Sequence, residues 1–220
     1  MKRGGDLLPS LPEIYGIILA GGQSKRMGFS KLLLPYRGKP LLSHVLRTVM
    51  QAGFTGVLVA VPREDQKLQR ILSGNPCQTV LLEDPQKGMG YSLASAVRSL
   101  PATAKAVVVL LADQPGIHLS DLQYIIKQFI GVFIHQKTKI PIIIRTKYRD
   151  GEEGHPVLFT DHFFSQLIEL QGDVGGREII RRNHAHVRFH LSPSRFPQDV
   201  DTPADYQQLV SNNQEDRNHE

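Results

Sequence analysis

Residues 19–31 read LAGGQSKRMGFSK and follow directly on the apolar run Ile14–Leu19. A short continuous apolar run is the pattern of a strand buried on both faces, as in a parallel sheet. Where that run ends, Gly21 and Gly22 leave the backbone bare, so a ligand can approach it closely. Lys25, Arg26 and Lys31 follow within one loop, which points to a multiply charged anion. The loop is not a Walker A motif, because five residues rather than four separate Gly22 from Gly28, and Phe29 follows. Nor is it G-x-G-x-x-G, because Gly22 is followed by Gln23, Ser24 and Lys25. A strand, a glycine pair and cations can still cradle phosphate through adjacent N–H groups, with Arg26 and Lys31 neutralising it. The alternative is a plain turn with solvated cations.

Working outward, apolar strand-like runs alternate with amphipathic stretches along the whole chain. Strands are expected at Ile14–Leu19, Gly56–Val61, Thr79–Leu82, Ala106–Leu111, Pro141–Arg145 and His186–Leu191. Helices are expected at Pro40–Ala52, Glu64–Leu72, Gly90–Leu100, Ser120–Phe129, Asp161–Leu170 and Thr202–Val210, the last with Thr202 as N-cap and Pro203 at the first helical position. This alternation predicts an α/β fold with a mostly parallel, Rossmann-like sheet flanked by helices. Such sheets bind ligands beyond the carboxyl ends of their strands.

Length and composition fit one globular domain: 220 residues, 40% hydrophobic and 21% charged. We expect a loose segment over 1–12, the domain over 13–210 and a polar tail over 211–220. The single cysteine, Cys77, excludes an internal disulfide and fits a reducing cytoplasm, the expected location. The net charge of +5 is spread along the chain without a long basic run, which favours a small polyanionic substrate over nucleic acid. Asp6, Pro9 and Pro12 interrupt the N-terminal stretch, unlike a signal peptide. Val107–Ala112 and Ile140–Ile144 are too short to span a bilayer, so no membrane partner is expected.

Two acidic motifs complete the pattern. In VVVLLADQPGI (107–117) an apolar strand delivers Asp113 to the ligand-binding edge, where a carboxylate can hold Mg²⁺ together with substrate phosphates. In FPQDVDTPADY (196–206) Asp199 and Asp201 alternate and can face one way if extended. Either one can instead be a helix cap. His184, His186 and His190 lack a convincing metal spacing.

The pattern L-A-G-G-x-S-x-R-M-G-x-x-K resembles the signature of the MobA-like nucleotidyltransferases, which make dinucleotide forms of the molybdenum cofactor. GKPLLSHVL (38–46), the D-Q-P of 113–115 and the D-V-D-T-P-A-D-Y of 199–206 also resemble that family, and the likeness runs over roughly residues 14–210. Three further stretches resemble its cytidylyltransferase branch, including the purine-catabolism member that supports xanthine dehydrogenase: DPQKGMGYSLASAV (84–97), GEEGHPVLF (151–159) and LQGDVGGREII (170–180). One position departs, since Ala20-Gly21-Gly22 matches the guanylyl branch where the cytidylyl branch has L-A-A-G. A glycine at position 21 is expected to widen the pocket.

The resemblance implies a nucleotide-diphospho-sugar transferase type of fold. It implies transfer of CMP from CTP, favoured over GTP, to the phosphate of molybdopterin or molybdenum cofactor, with release of pyrophosphate. Nucleotide contacts then fall to Leu19, Ala20, Gly21, Gly22, Arg26, Lys31, Asp84, Gly88, Ser92 and Asp113. Mg²⁺ falls to Asp113 and Asp201, with Asp199 close behind, and the acceptor to His155, Asp173 and Arg177. Arg26, Lys31 and Asp113 are the implied catalytic groups, and a molybdenum hydroxylase apoenzyme is the implied partner. The rival readings are a guanylyltransferase, a sugar- or polyol-phosphate nucleotidyltransferase and a non-catalytic cofactor chaperone. The chaperone would need the acceptor motifs but not Asp113 together with Arg26 and Lys31.

Overall fold

The computed structural model describes residues 11–22, 30–136 and 140–217. The chain runs β1 (Glu13–Leu19), a small hairpin of β2 (Pro35–Tyr36) and β3 (Lys39–Pro40), α1 (Leu41–Met50), β4 (Gly56–Pro62), α2 (Gln66–Ser73) and β5 (Gln78–Leu82). It continues through α3 (Met89–Arg98), β6 (Ala104–Leu111), α4 (Leu119–Gln136), β7 (Ile143–Lys147), β8 (Glu153–Thr160), α5 (Phe164–Ile168), α6 (Arg177–Arg182), β9 (Val187–Leu191) and α7 (Pro203–Arg217). The main sheet has seven strands in the order β5-β4-β1-β6-β8-β7-β9. β8 pairs antiparallel with β6 and β7, and the other pairings are parallel. The fold is therefore the mostly parallel α/β sheet expected from the sequence.

Side chains of each strand divide between two packed layers. One face carries Ile18, Val59, Val108 and Ile144 beneath α1, α2 and α4. The other carries Ile17, Leu58, Val109 and Phe159 beneath α3, α5 and α6. That double covering is why the strands read as unbroken apolar runs.

Several elements differ from expectation, among them the β2–β3 hairpin and α6, neither of which was expected. β8 was hidden in a stretch rich in Gly and Pro, residues depleted from strand interiors. Its pairing with β7 skips between Arg145 and Thr146, so the ladder accommodates Pro156 at an irregularity rather than in regular pairing. α4 runs on past Phe129 to Gln136, through Gly131, because Phe133 and its neighbours still pack on the core. α7 continues past Val210 to Arg217, with no Gly or Pro to stop it.

At the sheet edge, β9 is fastened to α4 by a buried polar cluster. His190 Nε2 lies 2.7 Å from Asp121 Oδ1, and the Ser192 hydroxyl donates to Asp121 Oδ2 at 3.0 Å. Asp121 is 1% exposed, so its oxygens rely on these partners for hydrogen bonds.

No helix among the described residues is long and apolar enough to cross a membrane.

Candidate active site

The sheet order itself places the site. From β1 the chain steps outward to β4 and β5, then returns to β6 on the other side of β1. Ligands bind in the crevice beyond the carboxyl ends of strands where the order reverses in this way. Leu19 and Leu111 are register partners at the ends of β1 and β6, so Gly21-Gly22 and Asp113 leave the sheet side by side.

Asp201 reaches the same place from far along the chain. The Val200 N–H donates to the Asp113 carbonyl at 3.2 Å, and the Val200 side chain is buried with Tyr36 and Leu41. Thr202 caps α7 as expected, its hydroxyl accepting from the Asp205 N–H at 3.2 Å. The Asp205 carboxylate in return accepts from the N–H groups of Asp201 and Thr202 at 3.1 and 2.8 Å, which holds Asp201 in position.

Between the two acids stands Lys31. Its Nζ donates to Asp113 Oδ2 and Asp201 Oδ1, both at 2.6 Å. Burial pulls the Lys31 ammonium towards neutrality, but the charges and hydrogen bonds of Asp113 and Asp201 outweigh it and hold its pKa above the ordinary lysine value. Asp199 sits beside this group and accepts from Gln114 Nε2 at 2.7 Å. Burial, followed by the neighbouring Asp113 charge, pushes the Asp199 carboxyl up to about 6. Asp199 thus stands apart from Asp113 and Asp201, which converge on one cationic point.

Over these residues opens a cavity of about 570 Å³. Its lining includes the expected Leu19, Ala20, Gly21, Gly22, Lys31, Gly88, Ser92, Asp113, Asp173 and Asp201. Gly88 has φ +92, and a Cβ there would fall 2.3 Å from Asp173 Oδ1 and 2.6 Å from the Gly172 backbone. The 172–173 loop therefore lies directly on the start of α3, and the Gly90 N–H donates to the Gly172 carbonyl at 2.7 Å.

Other expected residues stand outside that lining. Asp84 pairs with Lys87 at 2.8 Å on the rim. His155 turns its Nδ1 to within 3.1 Å of the Val109 carbonyl, and burial lowers its pKa. Arg177 is exposed at the start of α6. Both Arg177 and Asp113 are near enough to act electrostatically on His155. Arg26 lies outside the described residues.

One expectation needs correction. Gly21 does not widen the pocket: a Cβ there would meet Leu82 Cδ1 at 2.6 Å and Ser92 Oγ at 2.8 Å. Neighbouring side chains already fill the space.

The sequence reading also missed several residues. Met89 is 40% exposed and lines the cavity with Pro85, Gln86 and Leu32. Arg145, held by the Glu153 carboxylate at 2.5 Å, acts on His155 from β7. Its only signal was a cation at the end of an otherwise apolar strand. Gln114, 1% exposed, was legible only as part of D-Q-P.

The chain is similar over 89% of its length to purine catabolism protein PucB of Bacillus subtilis, at 29% identity and covering 95% of that protein. It is 26% identical to nicotine blue oxidoreductase of Paenarthrobacter nicotinovorans, over 87% of this chain and 94% of the other. The crystal structure of Rv0371c from Mycobacterium tuberculosis superposes with a TM-score of 0.81 at 30% identity, covering 92% of this chain and 99% of that one. A manganese complex of Rv0371c superposes at 0.76, with 29% identity over 90% of this chain and 98% of that one. The MobA-like NTP transferase domain matches residues 16–187, most of the chain and all of the crevice except Asp199 and Asp201. With glycine backbone, cation and acid gathered at the switch point of the sheet, the chain belongs to the MobA-like NTP transferase family and is a nucleotidyltransferase.

Proposed function

We propose that the protein transfers CMP from CTP to the terminal phosphate of molybdopterin or molybdenum cofactor, releasing pyrophosphate. In this reading it acts in the cytoplasm and serves a molybdenum hydroxylase such as xanthine dehydrogenase. The observation that carries the transfer chemistry is the Lys31 ammonium held between Asp113 and Asp201 at the floor of a cavity bordered by Gly21 and Gly22. The similarity to a purine catabolism protein supports the choice of pathway.

The donor set fits Mg²⁺. Two carboxylate oxygens already converge within 2.6 Å of a single cationic atom, and hard oxygen ligands suit that ion. Asp113 and Asp201 would hold it, and when bound it supplies charge neutralisation between the phosphates.

The protein's own groups do the rest. The bare backbone at Gly21 and Gly22 admits the triphosphate, and Lys31, with Arg26, supplies positive charge. Gly88, Met89 and Ser92 border the space for the nucleoside, with Asp84 at its rim. Asp173, Arg177 and His155 face the acceptor. The acceptor phosphate attacks the α-phosphorus, a new P–O bond forms, the bond to the β-phosphate oxygen breaks and pyrophosphate leaves. The nucleophile is already an anion, so alignment and charge matter more than a strong base.

The test is purified protein with each nucleoside triphosphate, Mg²⁺ and molybdenum cofactor, following pyrophosphate release and product mass. A cytosine dinucleotide product is expected. No pyrophosphate from any nucleotide, in the presence of cofactor, would overturn the proposal.

A further inference from the structure

The Lys31 ammonium occupies the position where two carboxylates meet. The acids come from sequence positions 82 and 170 residues away, and both contacts are 2.6 Å. The lysine side chain is 9% exposed, whereas Asp201 is 53% exposed and opens the point to the cavity. Two carboxylates brought together without a cation would repel each other. Here the protein supplies that cation from its own chain.

We propose that Lys31 is the resident cation of this site, and that a divalent ion takes its place only when a nucleoside triphosphate enters with it. This inference rests on the nucleotidyltransferase reading of the site. A divalent ion and an ammonium compete for the same oxygens and repel each other at such a distance. An ion arriving alone must drive a buried ammonium away from two carboxylates, leaving it only the weaker pull of the neighbouring Asp199 carboxyl, which Gln114 already holds. A triphosphate changes the balance, because its oxygens receive the displaced ammonium. The lysine stem has four flexible carbons, so Nζ can shift from acid to phosphate while its backbone stays in place. Leu32, 3% exposed, anchors that backbone in the core. The metal-free protein is then neutralised and closed at its centre, and the ion and nucleotide bind as a unit. A lysine acting only as a permanent strut would show none of this coupling.

The experiment measures Mn²⁺ binding by electron paramagnetic resonance on the full chain, without nucleotide, for wild type and Lys31→Met. Removing the competing charge should tighten Mn²⁺ binding by about tenfold or more. Wild type should tighten by a similar factor when a non-hydrolysable CTP analogue is added, beyond the chelation measured for the analogue alone, while Lys31→Met should gain much less. Asp201→Asn should lose binding in either background. The proposal is overturned if folded Lys31→Met binds Mn²⁺ no tighter than wild type. It is equally overturned if wild type, the measurement that needs no variant, binds Mn²⁺ as tightly without the analogue as with it. The coupling and the transfer reaction fail separately. The expected Mn²⁺ pattern without pyrophosphate release removes the transfer reading and keeps the lysine exchange. Pyrophosphate release without the pattern does the reverse.

Discussion

At the scale of single residues, the crevice brings together three carboxylates that have different tasks. Asp113 leaves the end of β6 and binds Lys31 directly. Asp113→Ala should leave a folded protein by circular dichroism and lower kcat/KM by an amount equivalent to about 2.7–4 kcal/mol, the usual cost of losing a transition-state electrostatic contact. Near-normal turnover in saturating Mg²⁺ would remove Asp113 from the reaction. Asp199 makes a different prediction. Its carboxyl is pushed up to about 6 from an ordinary 3.8. Between those values the folded state holds a proton that the unfolded state has lost. Its contribution to stability is therefore complete below the lower value, falls as pH rises through the window, and stays low above it. Asp199→Asn cannot ionise. It should melt higher than wild type near pH 7.5 and level with it near pH 3.5, in scans run across that range. An unchanged difference across the range would show that Asp199 does not titrate in this way. Asp113 and the 199–201 acids were legible in the sequence because each sits beside a strong local signal, a buried strand or a capped helix. Their division of labour was not, since it depends on Gln114 and Lys31 arriving from elsewhere.

At the scale of elements, local pattern located most strands and helices but not their neighbours. β8 is the instructive case. Its residues include Gly154 and Pro156, so propensity argues against a strand, yet Leu158 and Phe159 are buried between β6 and β7. Burial on both sides outweighed propensity. β9 depends on a contact that no period reveals, the Asp121 carboxylate shared by His190 and Ser192. Asp121→Ala would take the Nε2 partner from buried His190 and the acceptor from the Ser192 hydroxyl, which would keep only the Ser194 N–H. It should lower unfolding free energy by about 1–3 kcal/mol in urea titration, the range for leaving a buried hydrogen-bonding group unsatisfied. A loss under 1 kcal/mol would mean that the cluster is a passive bystander.

At the scale of the whole molecule, choice of base becomes a packing question. Gly21 lies where the end of β1, Leu82 of β5 and Ser92 of α3 meet. Gly21→Ala reproduces the L-A-A-G of the cytidylyl branch, but here the added methyl overlaps both neighbours. We expect it to cost about 1–3 kcal/mol, as overpacking does, and to lower turnover with CTP and GTP alike rather than sharpen the preference. In the unaltered protein, equal CTP and GTP in competition should give mostly the cytosine product by mass. Predominant guanine product would reverse the base assignment while leaving the site geometry intact. That buried parallel strands end in glycines, cations and acids was already legible in the order of residues. Burial on two faces writes itself into local apolar runs, and ligand-facing residues follow directly where those runs stop. Three features emerge only on folding: Lys31 joins Asp113 to Asp201, β8 enters the sheet antiparallel, and Gly21 has no room to spare. Each of these is a meeting between distant segments, set by the order in which strands pack, and no window of neighbouring residues contains both partners.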